Sequence, residues 1–404
     1  MKYDFVTLPE RRGFDALAVD TVGPDNGGVG FAPLGPENGF SVIPMWVADM
    51  NFVGLPKITE TIKERLEHPT FGYFIPRDEY YSSIIRWHKK RNGTELTKES
   101  IGYENGVLGA LSSALRALTA PGEKILVHSP TYIGFTHTFD DTGRIPVHSP
   151  LVKDEGGKWR MDYVDMEAKI KENGIRFAVF CSPHNPCGRV WEREEIEKFM
   201  DLMKKYDVTV FSDEIWSDII ISGKHVPTHT VSTDAKNRTI TAYAPSKTFN
   251  LAGLIGSYHV IFDPSLREKV MKTSEETHYN SMNVLSQYAL IGAYSEEGGE
   301  WTDELCETIR ANVGFAYTHI KENYEGVKLE KPEGTYMLYP DFTEYLEKTG
   351  RDMDELIHAG WKVGVAWQDG RPFHGENTIR INLALPTETV KEAFARLDRY
   401  VFGI

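Results

Sequence analysis

Lys247 stands in the run Ala-Pro-Ser-Lys-Thr-Phe-Asn-Leu-Ala-Gly at residues 244–253, directly after an apolar alternation at 238–243 that reads as a buried strand. A lysine just past such a strand sits where open α/β sheets place their ligands, at the carboxyl edge. Asp213 ends another apolar run, Val-Phe-Ser-Asp at 210–213. An unpaired charge there is costly, so it calls for a cationic partner, either a side chain or a protonated ligand nitrogen. Asn185 lies in Cys-Ser-Pro-His-Asn-Pro-Cys-Gly-Arg at 181–189, where two prolines and a glycine fix the chain. A carboxamide held that way donates a hydrogen bond to a phenolate oxygen. Tyr132 follows a strand ending near residue 128 and offers its ring to a flat ligand. Gly106, Val107 and Leu108 begin a helix, whose free N–H groups and dipole favour an anion such as phosphate. Taken singly, each has an ordinary structural explanation; together they describe one set of complementary contacts.

The elements that would carry these residues alternate. Strands are expected at 124–128, 145–148, 177–181, 208–212, 238–243 and 258–262, with helical stretches between several of them, notably 192–206. This alternation predicts βαβ units and a mainly parallel sheet between helices. Helices are also expected at 55–66, with Pro56 in the first turn, and at 78–91. The aromatic cluster Phe-Gly-Tyr-Phe at 71–74 reads as core. Beyond residue 270, two long helical stretches precede β-branched and aromatic segments ending in Gly-Val-Ala-Trp367 and Ile-Arg-Ile-Asn-Leu383, consistent with a smaller α+β domain. Residues 1–42 lack periodicity and are rich in glycine and proline at 23–39, which predicts a flexible arm. The expected division is an N-terminal segment at 1–50 packing with the small domain, a large domain at 51–290 and a small domain at 291–404.

At 404 residues the chain can bury a large core. Its net charge of −14 argues against nucleic acid or an anionic membrane as partner. Three cysteines are too few for a disulfide framework, and no Cys/His spacing suggests a metal site. Neither a signal peptide nor an apolar run of membrane-spanning length is visible, so a cytoplasmic location is expected.

The strand-end lysine, the aspartate, the asparagine, the tyrosine and the helix start match the needs of pyridoxal 5′-phosphate. The lysine bonds the aldehyde, the aspartate keeps the ring nitrogen protonated, the asparagine steadies the ring hydroxyl and the helix start holds the phosphate. Their order resembles the fold-type I, class I/II aminotransferase superfamily. More narrowly, Ile-Pro-Met-Trp-Val-Ala-Asp-Met at 43–50, Phe-Gly-Tyr at 71–73, Pro-His-Asn-Pro-Cys-Gly-Arg-Val-Trp at 183–191, Ser-Asp-Glu-Ile at 212–215 and the 244–253 run are similar to the MalY/PatB branch of cystathionine β-lyases and C–S lyases. The resemblance spans roughly residues 41–386. It implies an α/β fold with a large cofactor-binding domain and a smaller α+β domain, in a homodimer with shared sites. It also implies that Lys247 is the Schiff-base lysine, Asp213 the ring-nitrogen partner, Asn185 the ring-hydroxyl ligand and Tyr132 the stacking ring. The phosphate would be held by Gly106 to Leu108, Ser246 and Tyr73 of the neighbouring subunit. Arg380 would take the substrate α-carboxylate, with Ala48 and Asp49 closing on it through their backbone.

Several positions depart from the superfamily pattern. Trp216, counted with the cofactor-binding residues, stands where many aminotransferases have tyrosine and the lyase branch commonly histidine. Its indole donates a hydrogen bond but accepts none. Ile255 occupies the place of a usual phosphate-binding arginine, and Ala244 that of a frequent hydroxyl; both fit the lyase branch. The segment before Trp46 is longer and richer in glycine than the usual family start. The resemblance therefore implies cleavage of the Cβ–S bond of an L-cysteine S-conjugate such as L-cystathionine. The alternatives are transamination of an L-amino acid and a cofactor-bound regulator that acts by binding a partner.

Overall fold

The computed structural model describes residues 1–23 and 32–404. They form two compact units. One comprises Gly54–Asn185 and Arg189–Thr302; the other comprises Met1–Val53, Pro186–Gly188 and Asp303–Ile404.

The first unit is built on a seven-stranded sheet in the order Ile101–Asn105, Gly256–Val260, Thr239–Tyr243, Thr209–Asp213, Phe177–Cys181, Lys124–Ser129 and Ile145–Pro150. From Thr239–Tyr243 outward to Ile145–Pro150 every pairing is parallel. Gly256–Val260 runs antiparallel between its two neighbours. The central strands are almost wholly buried, as expected where helices cover both faces of a sheet. Leu111 and Leu115 of the Val107–Leu118 helix pack on one face with Val127, Phe177, Val179, Phe211 and Ile240. The expected helices at 55–66, 78–91 and 192–206 form as Pro56–Leu66, Asp78–Asn92 and Arg193–Lys205. In the last, Glu192 and Glu195 make a reciprocal capping box.

The second unit carries a four-stranded sheet in the order Ile43–Met45, Val365–Asp369, Ile379–Asn382 and Met337–Leu338. Trp46, at the end of the first strand, is buried with Ala32 and Ala366, and its indole N–H donates to the Ala18 carbonyl at 3.0 Å.

Three expectations change. The first strand of the large sheet, Ile101–Asn105, was not foreseen: a glycine and a glutamate interrupt its apolar pattern, and Glu104 is buried only because His259 and Ser274 meet its carboxylate. The described part of the N-terminal arm is anchored rather than loose. The Lys2 and Tyr3 amides donate to Glu304, Phe5 stacks edge-on against Phe52, and Leu17–Asp20 forms a short helix; residues 24–31 of the glycine-rich stretch lie outside the described residues. The aromatic cluster at 71–74 is not core: Phe71 and Tyr73 are exposed, as is Ile75 beside them. Within the chain, the Arg65 guanidinium lies over the Phe71 ring at 5.1 Å, yet the ring stays largely exposed.

Gly188, three residues past Asn185, has φ +67°, and its carbonyl accepts from the amides of Glu333 (2.8 Å) and Gly334 (2.9 Å). A Cβ there would overlap Pro332 and sit 2.9 Å from the Gly334 carbonyl. Gly188→Ala therefore combines left-handed strain with a clash against backbone. It should lower unfolding stability by about 1–3 kcal/mol, read as a reduced urea midpoint; an unchanged midpoint would show that the 332–334 turn yields freely.

Candidate active site

The carboxyl edge of the large sheet gathers most of the expected residues of the first unit. Asp213 ends the strand Thr209–Asp213, and Lys247 and Ser246 follow Thr239–Tyr243, which lies alongside it. Asn185 follows Phe177–Cys181 on the other side of Asp213, where Cys181 and Asp213 are direct cross-strand partners. Tyr132 is the N-cap of the Ile133–Thr142 helix that follows Lys124–Ser129. Gly106, with φ +80°, is the N-cap of Val107–Leu118, so the amides of Val107 and Leu108 begin that helix.

The chemistry of this edge is set by two adjacent acids. Glu214 accepts hydrogen bonds from the Ser212 hydroxyl (3.0 Å), the Thr228 amide (2.8 Å) and the Tyr243 phenol (2.7 Å), and it pairs with His225 Nε2 at 2.8 Å. Burial opposes its charge, but His225 and these donors bring its carboxyl down to about 2. Asp213 is equally buried, and burial pushes its carboxyl up to about 7, against the opposing pull of the Ile215 amide (3.0 Å) and the Lys247 ammonium. One acid is satisfied by the protein; its neighbour is left suited to a protonated nitrogen brought by a ligand.

Trp216 is buried, and Lys247 Nζ lies over its ring at 5.8 Å, a favourable cation–π placement. Behind the lysine, Thr248 Oγ1 donates to Asp218 at 3.4 Å, and Trp87 Nε1 donates to the same carboxylate at 3.1 Å. Tyr132 owes its position to Gly134, since a Cβ there would meet the ring at 2.5 Å and Leu108 at 2.8 Å. Ile255 adopts φ +64°, unusual for a β-branched residue, and its side chain is 3.9 Å from the point a Gly106 Cβ would occupy. An apolar residue thus stands beside the helix start. Tyr73 is not gathered here: it is fully exposed and makes no hydrogen bond or ring contact among the described residues.

In the second unit, Arg380 is buried in the strand Ile379–Asn382. Its guanidinium lies 4.4 Å from the Phe373 ring centroid, and Nη2 donates to the Trp46 carbonyl at 2.8 Å. Asn382 Nδ2 donates to the carbonyls of Val47 (2.7 Å) and Asp49 (2.6 Å) on either side of Ala48. Glu214 and its four partners escaped sequence reasoning, although an acid following a buried strand, with a histidine eleven residues on, was a usable signal. No group of three or more metal-binding side chains occurs among the described residues, and none of their helices is long and apolar enough to cross a membrane.

Residues 46–397 match the family described as aminotransferase class I and II, and the chain belongs to it. Within that family it falls in the MalY/PatB branch. It is 36% identical over 359 residues to cystathionine β-lyase PatB of Bacillus subtilis (strain 168), covering 88% of this chain and 91% of PatB. It is 27% identical to protein MalY of Escherichia coli (strain K12), over 88% of this chain and 90% of MalY. The fold is that of cystalysin from Treponema denticola, whose crystal structure contains pyridoxal 5′-phosphate; the TM-score is 0.90 at 30% identity, covering 100% of this chain and 99% of that one. The pyridoxal-phosphate-bound C–S lyase of Staphylococcus hominis superposes with a TM-score of 0.88 at 29% identity, over 99% and 98% of the two chains.

The raised carboxyl of Asp213 has a measurable consequence. Its folded-state value, about 7, lies above the ordinary 3.8, so between those values the folded chain holds a proton that the unfolded chain has released. Stability therefore falls as pH rises through that window, most steeply at roughly 1.4 kcal/mol per unit for this group. In ligand-free protein, the stability of wild type relative to Asp213→Asn should drop by roughly 2 kcal/mol between pH 5 and pH 7, measured by urea unfolding. A difference independent of pH would mean that Asp213 is ionised without a ligand.

Proposed function

We propose that the chain is a pyridoxal 5′-phosphate-dependent carbon–sulfur β-lyase that acts on L-cystathionine or related L-cysteine S-conjugates. The observation that carries this reading is the buried Asp213 carboxylate, fitted to a protonated nitrogen, on the sheet edge that also bears Lys247. The residues present fit the cofactor: an amine for its aldehyde, a carboxylate for its ring nitrogen, a carboxamide at Asn185 for its ring oxygen and helix amides at Val107 and Leu108 for its phosphate, with Ser246 adding a hydroxyl. Tyr132 and Trp216 supply aromatic surface. When bound, the cofactor supplies an electron sink for the pair left at the substrate Cα.

The residues then divide the work. Arg380 receives the α-carboxylate through two parallel hydrogen bonds, and the backbone at Ala48 and Asp49 closes on the same group. Lys247, in its amine form, takes the Cα proton as general base. Asp213 holds the proton of the ring nitrogen and, within its buried setting, stabilises that positive charge. The Cβ–S bond breaks with its electron pair on sulfur, the thiolate gains a proton, and the 2-aminoacrylate product hydrolyses to pyruvate and ammonia. Glu214 touches none of these atoms; it fixes the strand end and adds negative charge beside Asp213.

Lyase chemistry is preferred to transamination because of Ile255. A transaminase releases its first product and must then hold its cofactor as an amine, bonded to neither lysine nor substrate, and an arginine on the phosphate strengthens the grip at that stage. Here that place is apolar, which a β-lyase tolerates. L-Cystathionine should give pyruvate, ammonia and a thiol product in equal amounts without any keto acid, while alanine or aspartate should give only slow half-transamination. A requirement for an added 2-oxo acid, consumed as a new amino acid accumulates, would replace this reading with a transaminase.

The working form is assigned as a cytoplasmic homodimer. Exposed Phe71, Tyr73 and Ile75 form an apolar stretch suited to a second copy of the chain, with Tyr73 reaching the partner's phosphate site. Tyr73→Phe should weaken cofactor binding by about 0.5–3 kcal/mol. At limiting cofactor, mixing Tyr73→Phe with Lys247→Ala subunits should restore activity, since the mixed dimer holds one unaltered site. No recovery on mixing would exclude the shared site.

A further inference from the structure

Arg11 belongs to the arm that carried no readable signal, yet its guanidinium grips three consecutive residues. Nη2 pairs with Asp49 Oδ2 at 2.5 Å, while Nη1 donates to Asn51 Oδ1 at 2.7 Å and, more loosely, to Asp49 Oδ1 and the Met50 carbonyl, both at 3.3 Å. The pair is largely shielded, with side-chain exposures of 18% for Arg11 and 16% for Asp49, so it is screened less than a surface ion pair. Asn51 is itself buried and its amide donates to the Ala384 carbonyl at 2.9 Å. The 46–51 segment is therefore held from two directions. Arg380 and Asn382 fix the carbonyls of Trp46, Val47 and Asp49, and Arg11 fixes the side chains that follow.

The charges explain why this hold matters. The Tyr336 phenol is pushed up by burial first and by Asp49 second, while Arg380 and Arg11 pull it down, so all three charges lie in its neighbourhood. A carboxylate there competes with a substrate carboxylate for Arg380 unless another cation satisfies it. Arg11 does so with a fork that Asp49 meets on both oxygens, the geometry in which arginine outperforms lysine.

We propose that Arg11 is a positioning residue for α-carboxylate recognition, holding the 46–51 segment in place and keeping the Asp49 carboxylate away from Arg380. The inference rests on the reading of Arg380 as the substrate-carboxylate residue, and it adds a role for an arm whose sequence suggested none.

The test uses the cofactor-loaded enzyme and L-cystathionine, together with two competitive inhibitors, an L-cysteine S-conjugate analogue and the matching amine that lacks the carboxylate. Arg11→Ala should raise KM about 10–100-fold, with kcat changed less than about threefold. It should weaken the carboxylate-bearing inhibitor while leaving the amine unaffected, and the visible absorbance of the bound cofactor should not change. Arg11→Lys, which keeps the charge but not the fork, should fall between wild type and Arg11→Ala. Adding Asp49→Asn to Arg11→Ala should recover affinity several-fold, which loss of packing alone would not produce. Arg380→Ala is the control: it must abolish the preference for the carboxylate-bearing inhibitor. If it does and Arg11→Ala does not weaken that preference, or if Asp49→Asn gives no recovery, the role of Arg11 is wrong. If Arg380→Ala leaves the preference intact, the reading of Arg380 itself fails.

Discussion

The site depends on the cost of burying one negative charge. Asp213 ends a strand in which Val210, Phe211 and Ser212 are closed off from water, and burial, the largest influence on it, pushes its carboxyl up to about 7. The next residue, Glu214, is buried as completely but stays ionised to about 2, because His225, Tyr243, Thr228 and Ser212 surround it. Two neighbouring carboxyls are thereby driven apart by their partners, a pattern that marks separate roles. Glu214 spends its charge on holding the Thr228 turn and Tyr243 in place. Asp213, opposed by burial and drawn down only by the Ile215 amide and Lys247, is the acid the proposed reading assigns to a ligand nitrogen. Had Glu214 lacked its donors, two adjacent buried acids would have competed for protons and neither would have been a dependable counter-ion.

The sheet converts this local electrostatics into a site. Five strands run parallel beside one another, so the residues that follow them emerge on one edge in an order fixed by pairing, with Asn185 on one side of Asp213 and Lys247 on the other. The antiparallel strand Gly256–Val260 has a further effect. Because it runs the opposite way, its beginning, not its end, lies on that edge, opposite Asn105. This brings Ile255 next to Gly106, although the two are far apart in sequence. The residue type at position 255 thus bears directly on how an anion at the helix start is held.

What was legible in the sequence follows the same physics. Phe177–Cys181 and Thr239–Tyr243 are strands buried on both faces, announced by an unbroken apolar run in the first and a β-branched alternation in the second. Ile101–Asn105, the edge strand of the same sheet, is nearly as buried but carries Gly102 and Glu104. Gly102 is needed because the His259 ring lies over it, and buried Glu104 has one carboxylate oxygen, Oε1, met by that histidine and by Ser274. Both partners are more than 150 positions away, so no local pattern reveals them. Phe71 and Tyr73 misled in the opposite sense: aromatic composition signals that a surface is to be covered, not which chain covers it. The candidate residues Lys247, Asp213, Tyr132 and Gly106 stand next to strand ends or helix starts, which sequence marks with proline, glycine and small polar residues.

The N-terminal arm shows where such reading stops. Its attachments are single contacts, an indole to one carbonyl, a ring to one ring and one guanidinium to three residues, and none repeats with a helical or strand period. Net charge is equally uninformative about this region. A chain at −14 repels polyanions as a whole, yet Arg380 and Arg11 concentrate positive charge around the 46–51 backbone in largely shielded surroundings, where each interaction is stronger than in water. On the proposed reading of Arg380 as the substrate-carboxylate residue, an acidic protein can recognise an anionic substrate provided its own nearby carboxylate is neutralised, and Asp49 is the acid for which that condition must be met.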